Sequence, residues 1–257
     1  WEQFATNGTL DGELGADAVG AAAVKIVVPP GGNASLTVSL GWYFPNRDFM
    51  GQTVGNHYTS IVQDSEAASR LLLPSIEAAE DVSSWGAFAS ALINSSLPTW
   101  FGDSLLNSLH HTRSAMWLAD ERWRQWESFS CVNVDSVHND GERHIPYLML
   151  LGGYGTTSKM RAWAAGATPK TKTSVGGMIQ EQLACGCMDA VPAKLDVPCG
   201  RVMGDVSSMF IVSLLELWQG TADENALKEL WPAAKAAAEW QIDRATNPSA
   251  PGLPHHL

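Results

Sequence analysis

Ionisable and aromatic side chains are concentrated in residues 122–151 of this chain. Trp123, Trp126 and Phe129 flank Glu127 with apolar surface, and a long apolar run follows. The other ionisable residues of this stretch are Asp135, His138, Asp140, Glu142, Arg143 and His144. Burying so many charges costs free energy unless they pair with one another or serve chemistry. The stretch therefore predicts a cleft in which Glu127 is a candidate reactive carboxylate.

The same residues also have structural interpretations. A Glu beside two tryptophans, taken alone, is more often a half-exposed carboxylate whose stem packs on a ring. His138 and His144 fit a ligand contact and a hydrogen-bonded structural histidine equally well. Arg143 is a candidate for substrate binding, although pairing with a nearby carboxylate is the commoner use of such an arginine. These alternatives remain open at the level of sequence.

A metal site is a third interpretation. Asp135, His138 and Asp140 supply two carboxylates and an imidazole within six residues, and a divalent ion accepts such ligands. Many loops carry this spacing without binding a metal, so the motif is a poor discriminator. We therefore expect neither a metal ion nor another cofactor.

Composition limits the possible partners. The 257 residues carry a formal net charge of −11 and a sequence pI of about 5.0, which argues against binding nucleic acid. No apolar run reaches the roughly 18 residues that are needed to span a bilayer. The chain begins at Trp1 without an initiator Met and ends just after Gly-Leu-Pro-His-His-Leu. We expect it to be an internal fragment of a longer protein.

Two features bear on the cellular compartment. Asn7, Asn33 and Asn94 each begin an acceptor tripeptide for N-glycosylation, which favours a secreted protein or the lumen of an endomembrane. A cytosolic, membrane-associated location is the alternative. Of the four cysteines, Cys185 or Cys187 could form a disulfide with Cys199 and close a short loop, whereas free buried thiols fit equally well.

Hydrophobic periodicity changes from a strand pattern to a helix pattern along the chain. Residues 21–28 and 34–42 have strand patterns separated by the turn at 29–32, so two antiparallel strands of a β-sandwich are predicted. Residues 65–93 have a helical pattern, with an interruption expected at Pro74. A further helix begins near Pro98, and an extended segment is predicted at 114–118.

The remaining chain is predominantly helical. Helices are predicted over residues 142–151 and 158–165, and loops over 166–177 and 189–202. Asp205 is a candidate cap for the next helix, and Asp223 or Glu224 opens the last one. The predicted core stripe of the first of these two helices is Val206, Phe210, Leu214 and Leu217. That of the second is Leu227, Leu230, Trp231, Ala234, Ala238 and Ile242.

The order of several short motifs resembles one known family. The motifs are Trp1-Glu-Gln-Phe, Ser39-Leu-Gly-Trp-Tyr-Phe-Pro, Gly55-Asn-His-Tyr, Leu97-Pro-Thr-Trp, Trp126-Glu127, Leu230-Trp-Pro-Ala-Ala and Gly252-Leu-Pro. Together they resemble glycoside hydrolase family 116, which includes the non-lysosomal glucosylceramidases, also called bile-acid β-glucosidases. The resemblance extends over essentially the whole chain.

This resemblance implies both a fold and its division into domains. The fold is an N-terminal antiparallel β-sandwich followed by an (α/α)6 barrel. Residues 1–64 would form the C-terminal part of the sandwich, residues 65–96 a helical linker, and residues 97–257 the truncated N-terminal part of the barrel.

The resemblance also implies a retaining β-glycosidase with Glu127 as its nucleophile. The general acid/base, an Asp, would lie beyond Leu257, so the fragment alone should be inactive. The sugar-holding Asp of the family falls on His138 by ungapped counting, or on Asp135 or Asp140 after a small shift. Ser128 stands where the family has Gly. Retaining hydrolysis requires one ionised and one protonated carboxyl group about 5 to 5.5 Å apart.

These residues can be assigned expected roles around a sugar. A cation such as Arg143 or His144 would keep Glu127 ionised, while Trp126 would stack on the pyranose. The expected partner is a β-glucoside or glycolipid substrate, with glucose preferred, and not nucleic acid. Membrane association, oligomeric state and the aglycone are left open. The alternative is a non-catalytic carbohydrate-binding or structural glycoprotein subunit with the same fold.

Overall fold

The computed structural model describes most of the chain in seven stretches. These are residues 6, 24–78, 80–108, 114–127, 133–185, 194–200 and 203–246. Within the helices, its account of side chains leaves out residues 72, 75–78, 80–85, 142–143 and 149–151. The chain divides into two compact units, Trp1–Leu40 and Gly41–Leu257.

In the first unit, the structure describes the predicted turn but no strand within residues 24–40. Gly32 N donates to Pro29 O at 3.0 Å, and Gly31 has a φ of +72°, which its lack of a Cβ permits. Val27 and Val38 are exposed. A two-stranded hairpin is marginal unless its apolar face packs on a further layer, and the described residues show none. The β-sandwich therefore stays a prediction.

The described strands of the second unit form two small antiparallel sheets. Strand β1 (Asp48–Phe49) pairs with β2 (Gln52–Thr53). Strand β3 (Ala115–Trp117) pairs with β4 (Trp123–Gln125), with Trp117 opposite Trp123. Strand β3 confirms the predicted extended segment. Alternation along β4 turns Trp123 and Gln125 to one face and Arg124 to the other.

Seven α-helices are described in this unit. They are α1 (Ser65–Ala78), α2 (Glu80–Ile93), α3 (Thr99–Asn107), α4 (Val137–Leu151), α5 (Tyr154–Ala165), α6 (Val206–Thr221) and α7 (Glu224–Thr246). The prediction of a break at Pro74 was wrong, because α1 continues through that residue. The fixed φ of proline is compatible with a helix, although one backbone hydrogen bond is lost. No helix in the described part of the chain is both long and apolar enough to cross a membrane.

Helix α4 begins five residues earlier than its sequence pattern predicts. Ser136 precedes its first turn, which contains His138, Asn139 and Asp140. The sequence pattern placed these residues before the start of the helix at residue 142. Polar side chains are common in the first turn of a helix, where backbone N–H groups lack intrahelical partners. The helical start fixes the directions of the candidate site residues.

Helices α6 and α7, both predicted from the sequence, pack against each other as a helical hairpin. Val206, Phe210, Leu214 and Leu217 are all buried, as predicted. The inner face of α7 is rotated from its predicted position, since Trp231 and Ile242 are 59% and 62% exposed. Its buried residues are Ala226, Leu230, Ala234, Ala237 and Trp240. Small alanines allow two helices to approach closely. Packing therefore buries an alanine-rich stripe of α7, which a pattern of hydrophobicity alone does not predict.

One of the two predicted capping residues of this hairpin makes capping hydrogen bonds, and the other does not. Asp223 Oδ1 accepts from the backbone N–H groups of Asn225 and Ala226, at 2.9 and 3.0 Å. It therefore caps α7, as predicted. Asp205 occupies the position before α6 but makes no side-chain capping bond, because its own backbone is already helical.

A disulfide joins Cys185 to Cys199, which is one of the two predicted pairings. It ties the segment after α5 to the loop at 194–200, and Gln182 and Cys199 also exchange two backbone hydrogen bonds there. Cys131 and Cys187 lie outside the described residues.

We expect the double variant Cys185→Ala/Cys199→Ala to be about 3 kcal/mol less stable than the wild type. The disulfide spans a sequence separation of 14 residues, and a closed loop of about 15 residues removes roughly that much from the unfolded chain. Urea denaturation under non-reducing conditions measures the difference. The two proteins should become equally stable once the wild type is fully reduced, and unchanged stability of the variant in oxidising buffer would contradict the prediction.

Candidate functional site

Glu127 lies where the chain leaves strand β4 and turns back towards α4. Its backbone N–H donates to Asn133 O at 2.9 Å, and Trp126 forms an isolated bridge with Val134. The side chain is half-buried. This backbone pairing places the Glu127 carboxylate beside the start of α4.

The carboxylate of Glu127 is surrounded by amide groups. Asn133 Nδ2 donates to Oε2 at 2.8 Å and Asn139 Nδ2 donates to Oε1 at 2.9 Å. Gln182 Nε2 is a third donor, 3.4 Å from Oε2. An ionised carboxylate accepts only, so it matches these NH₂ groups. Sequence analysis missed all three partners, of which Gln182 lies 55 residues away in the chain.

Two cations, His144 and Arg143, were expected beside Glu127, and the structure describes the side chain of His144. His144 is buried, with Nδ1 3.0 Å from Asp140 O and Nε2 3.1 Å from Glu216 Oε2. Its ring therefore pairs between α4 and α6. The side chain of Arg143 lies outside the described residues, so its predicted role in substrate binding stays a prediction.

The aromatic residues near Glu127 in sequence are separated in the structure. Trp126 packs on Phe49 with ring centroids 5.2 Å apart, in a small core with Met116, Leu118 and Val134. Its ring is thus partly buried against protein. Phe129 lies outside the described residues. Stacking of Trp126 on a sugar therefore stays a prediction.

A network of buried charges lies behind this site. Lys159 of α5 is 1% exposed, and its Nζ lies 2.6 Å from both carboxylate oxygens of Asp140 and 3.6 Å from Asp135 Oδ1. Arg124 Nε lies 3.9 Å from Asp135 Oδ2 and 2.6 Å from Asp196 Oδ1. The network connects β4, α4, α5 and the loop at 194–200. Of these residues, the sequence pattern indicated Asp135 and Asp140 but not Asp196, Lys159 or Arg124.

Asp135 is positioned by an unusual backbone conformation. Its φ is +49°, in the left-handed region that few residues other than Gly adopt. This turn directs Oδ1 to the backbone N–H of Gln125 at 2.9 Å. Burial raises the pKa of Asp135 to about 7, against the opposing charges of Lys159 and Arg124, and the nearby Asp140 raises it further. These contacts give Asp135 and Asp140 structural partners, and the expected contact of either residue with a sugar stays a prediction.

Replacement of Asp135 by Asn should remove part of the pH dependence of stability. Between pH about 4 and about 7 the native Asp135 keeps a proton that the unfolded chain has lost, so wild-type stability falls as pH rises through this window. The Asn variant lacks this titration and tolerates a positive φ. Its stability relative to the wild type should rise by up to about 1.4 kcal/mol per pH unit.

Urea unfolding at several pH values across this window measures that slope. Asp103→Asn replaces an exposed aspartate of α3 and is the control, which should track the wild type. Parallel stability curves for Asp135→Asn and the wild type would contradict the inference that Asp135 holds a proton in the native state.

His138 and the metal interpretation depend on the same turn of α4. His138 is half-buried, and its Nδ1 atom is buried without a hydrogen-bond partner among the described residues. Within the ranges described, no group of three or more His, Cys, Asp or Glu side chains is placed to hold a metal ion. Lys159 occupies the position between Asp135 and Asp140. The proposed metal-binding triplet therefore gains no support from the geometry.

Two of the predicted glycosylation sites can be located. Asn33 and Asn94 are exposed, and Asn94 follows the end of α2. Asn7 lies outside the described residues. Both located side chains are sterically open to modification, which stays a prediction.

Comparisons with known proteins give no family assignment. No protein-family model matches the chain, and a search of curated proteins finds no match either.

Proposed function

We propose that this chain carries the nucleophile half of a retaining β-glycosidase site, with Glu127 as the nucleophile. One observation carries the proposal: amide side chains from three separate segments hold both oxygens of a half-buried carboxylate. Such support orients the attacking group towards a substrate. The motif order that resembles glycoside hydrolase family 116 points to the same residue.

The proposed chemistry proceeds in two displacements. An oxygen of Glu127 attacks the anomeric carbon, the glycosidic C–O bond breaks, and the leaving oxygen takes a proton from the acid/base Asp that the resemblance implies beyond Leu257. Water then attacks the glycosyl ester, gives its proton to the same Asp, and releases Glu127. Attack through Oε1 would displace Asn139, while Asn133 and Gln182 would continue to donate to Oε2.

The neighbouring residues have proposed supporting roles. Asn139 and His138 occupy the first turn of α4 and are the nearest candidates in sequence for contacts with sugar hydroxyls. Asp140 lies in the same turn, but its carboxylate pairs with buried Lys159 and so anchors α4 on α5. The proposed substrate is a β-glucoside, including glycolipid β-glucosides. This part of the proposal follows from the resemblance.

Covalent trapping tests the proposal directly. The full-length protein is incubated with a 2-deoxy-2-fluoro-β-glucoside that carries a good leaving group, and the intact mass is then measured. We expect one glycosyl adduct, which peptide mapping places on Glu127. Glu127→Gln is the matched variant and should acquire no adduct.

The possible outcomes separate the alternatives. An adduct on another carboxylate would retain the activity and overturn the role of Glu127. No adduct on a folded protein that still binds glucosides would favour the non-catalytic carbohydrate-binding alternative.

A further inference from the structure

An aromatic slot of about 510 Å³ opens beside the start of α5. Its lining residues are Trp117, Trp123, Tyr147, Gly152, Tyr154 and Gly155. The ring of Trp117 lies 6.3 Å from that of Trp123 and 5.8 Å from that of Tyr154, with interplanar angles of 58° and 56°. The side chains that line this slot carry no charge. Its surface is therefore suited to an uncharged ligand with an apolar face.

The exposed rings of the slot are held in place by protein contacts. Trp117 stacks on His57, with centroids 4.0 Å apart and an angle of 19°. The Tyr154 hydroxyl donates to the backbone carbonyl of Glu121. Trp117 and Tyr154 nevertheless remain 42% and 47% exposed. Two accessible rings that are already ordered can bind a ligand with a smaller loss of conformational entropy.

Trp123 adds a polar requirement to this slot. Its Nε1 atom is buried and has no hydrogen-bond partner among the described residues. This edge of the Trp123 ring faces Gly155. A Cβ atom added to Gly155 would lie 3.2 Å from Nε1 and 3.1 Å from Cδ1 of Trp123. A buried N–H group without an acceptor costs free energy, and an oxygen atom would relieve that cost. A hydrocarbon or a quaternary ammonium group has no such acceptor.

A polar cleft of about 880 Å³ adjoins the slot, and Tyr154 lines both. The three arginines that line it are paired: Arg122 with Asp120 and Asp196, Arg124 with Asp196, and Arg161 with Glu229. Their positive charge is therefore compensated, which does not favour phosphate or another polyanion. The exposed pair of Arg161 and Glu229 can still exchange hydrogen bonds with hydroxyl groups.

We propose that the slot and the cleft together form a second carbohydrate-binding site. A pyranose ring would stack in the slot against Trp117 and Tyr154, and an adjoining sugar would place its hydroxyls in the cleft. The pyranose supplies the apolar C–H face, the lack of charge and the oxygen acceptors that this lining requires. The residues that hold the Glu127 carboxylate line neither cavity. The proposal thus stands apart from the role of Glu127.

Calorimetric titration of the full-length protein with 4-thiocellobiose tests this site, because the sulfur-linked disaccharide resists hydrolysis. Gly155→Ala narrows the slot at Trp123 while improving helix propensity. Trp117→Ala removes one stacking ring. We expect each to weaken binding about tenfold, the effect of losing one favourable aromatic contact. Trp231→Ala removes an exposed tryptophan of α7 and should bind as the wild type does.

A second titration is made on Glu127→Gln. Binding that persists in this variant and is lost in Gly155→Ala places the sugar in the slot, whatever the result of covalent trapping. No binding by the wild type, or loss in Glu127→Gln with full retention in Gly155→Ala and Trp117→Ala, would overturn the proposal. Binding of tetramethylammonium without binding of the disaccharide would also overturn it, since the slot would then be a cation site.

Discussion

Replacement of Glu127 by Gln should lower kcat/KM of the full-length enzyme for an aryl β-glucoside by a factor on the order of 10⁴ or more. The neutral amide keeps the size of the side chain but lacks the negative oxygen that attacks the anomeric carbon. An amide at this position also turns its own NH₂ group towards the NH₂ group of Asn133 or Asn139, so one of the two hydrogen bonds is lost. Steady-state kinetics on a substrate with a good leaving group measures the change.

Two further variants separate the chemical role of Glu127 from a structural one. Glu239→Gln lies on the exposed face of α7 and should keep full activity. Glu127→Ala with added azide should regain turnover and give the α-glucosyl azide, because an external nucleophile then enters from the face that Glu127 used. Loss of activity without rescue, together with lowered stability, would mark Glu127 as a structural residue.

Replacement of Lys159 by Met should destabilise the protein by about 3 to 5 kcal/mol. Lys159 is the cation between the buried carboxyl groups of Asp135 and Asp140, and its removal leaves Asp140 without its 2.6 Å partner. Breaking a buried ion pair from one side is strongly destabilising, because the remaining charge is desolvated and uncompensated. Met has similar length, so the loss of packing volume is small. Chemical denaturation at neutral pH measures the difference.

A matched control and a double variant test the electrostatic explanation. Lys235→Met breaks an exposed pair with Glu239 at 3.8 Å and should change stability by less than about 1 kcal/mol. Lys159→Met/Asp140→Asn removes both charges and should be more stable than Lys159→Met alone. If the second substitution lowers stability further, the cost of Lys159→Met arises from packing and not from the unpaired carboxylate.

Local sequence patterns predicted most helical segments of the second unit. The stripe of Val206, Phe210, Leu214 and Leu217 has helical spacing, and all four residues are buried. Asp223 is a helix-capping residue type at the right offset, and it caps α7. Such features depend on residues three or four positions apart, so they are visible without knowledge of the fold.

Local patterns were insufficient where packing between distant segments decided the outcome. Trp231 has the hydrophobicity of a core residue, yet alanines occupy the close contact between α6 and α7 and leave the tryptophan exposed. The strand pattern of residues 34–42 is clear, but strand pairing requires a partner layer that a local pattern does not show, so the β-sandwich stays a prediction. The sequence left open whether Cys185 or Cys187 pairs with Cys199 or whether the thiols are free, and the structure shows the disulfide between Cys185 and Cys199.

For the candidate site, the sequence by itself determined the concentration of ionisable and aromatic residues around Glu127 and the helical segments that follow it. Only the tertiary structure decided which groups face one another. Gln182 approaches Glu127 across 55 residues, and Arg124 reaches Asp196 across 72. The physical reason is that desolvation and pairing depend on the path of the whole chain, so residue type shows what chemistry is available and packing selects where it occurs.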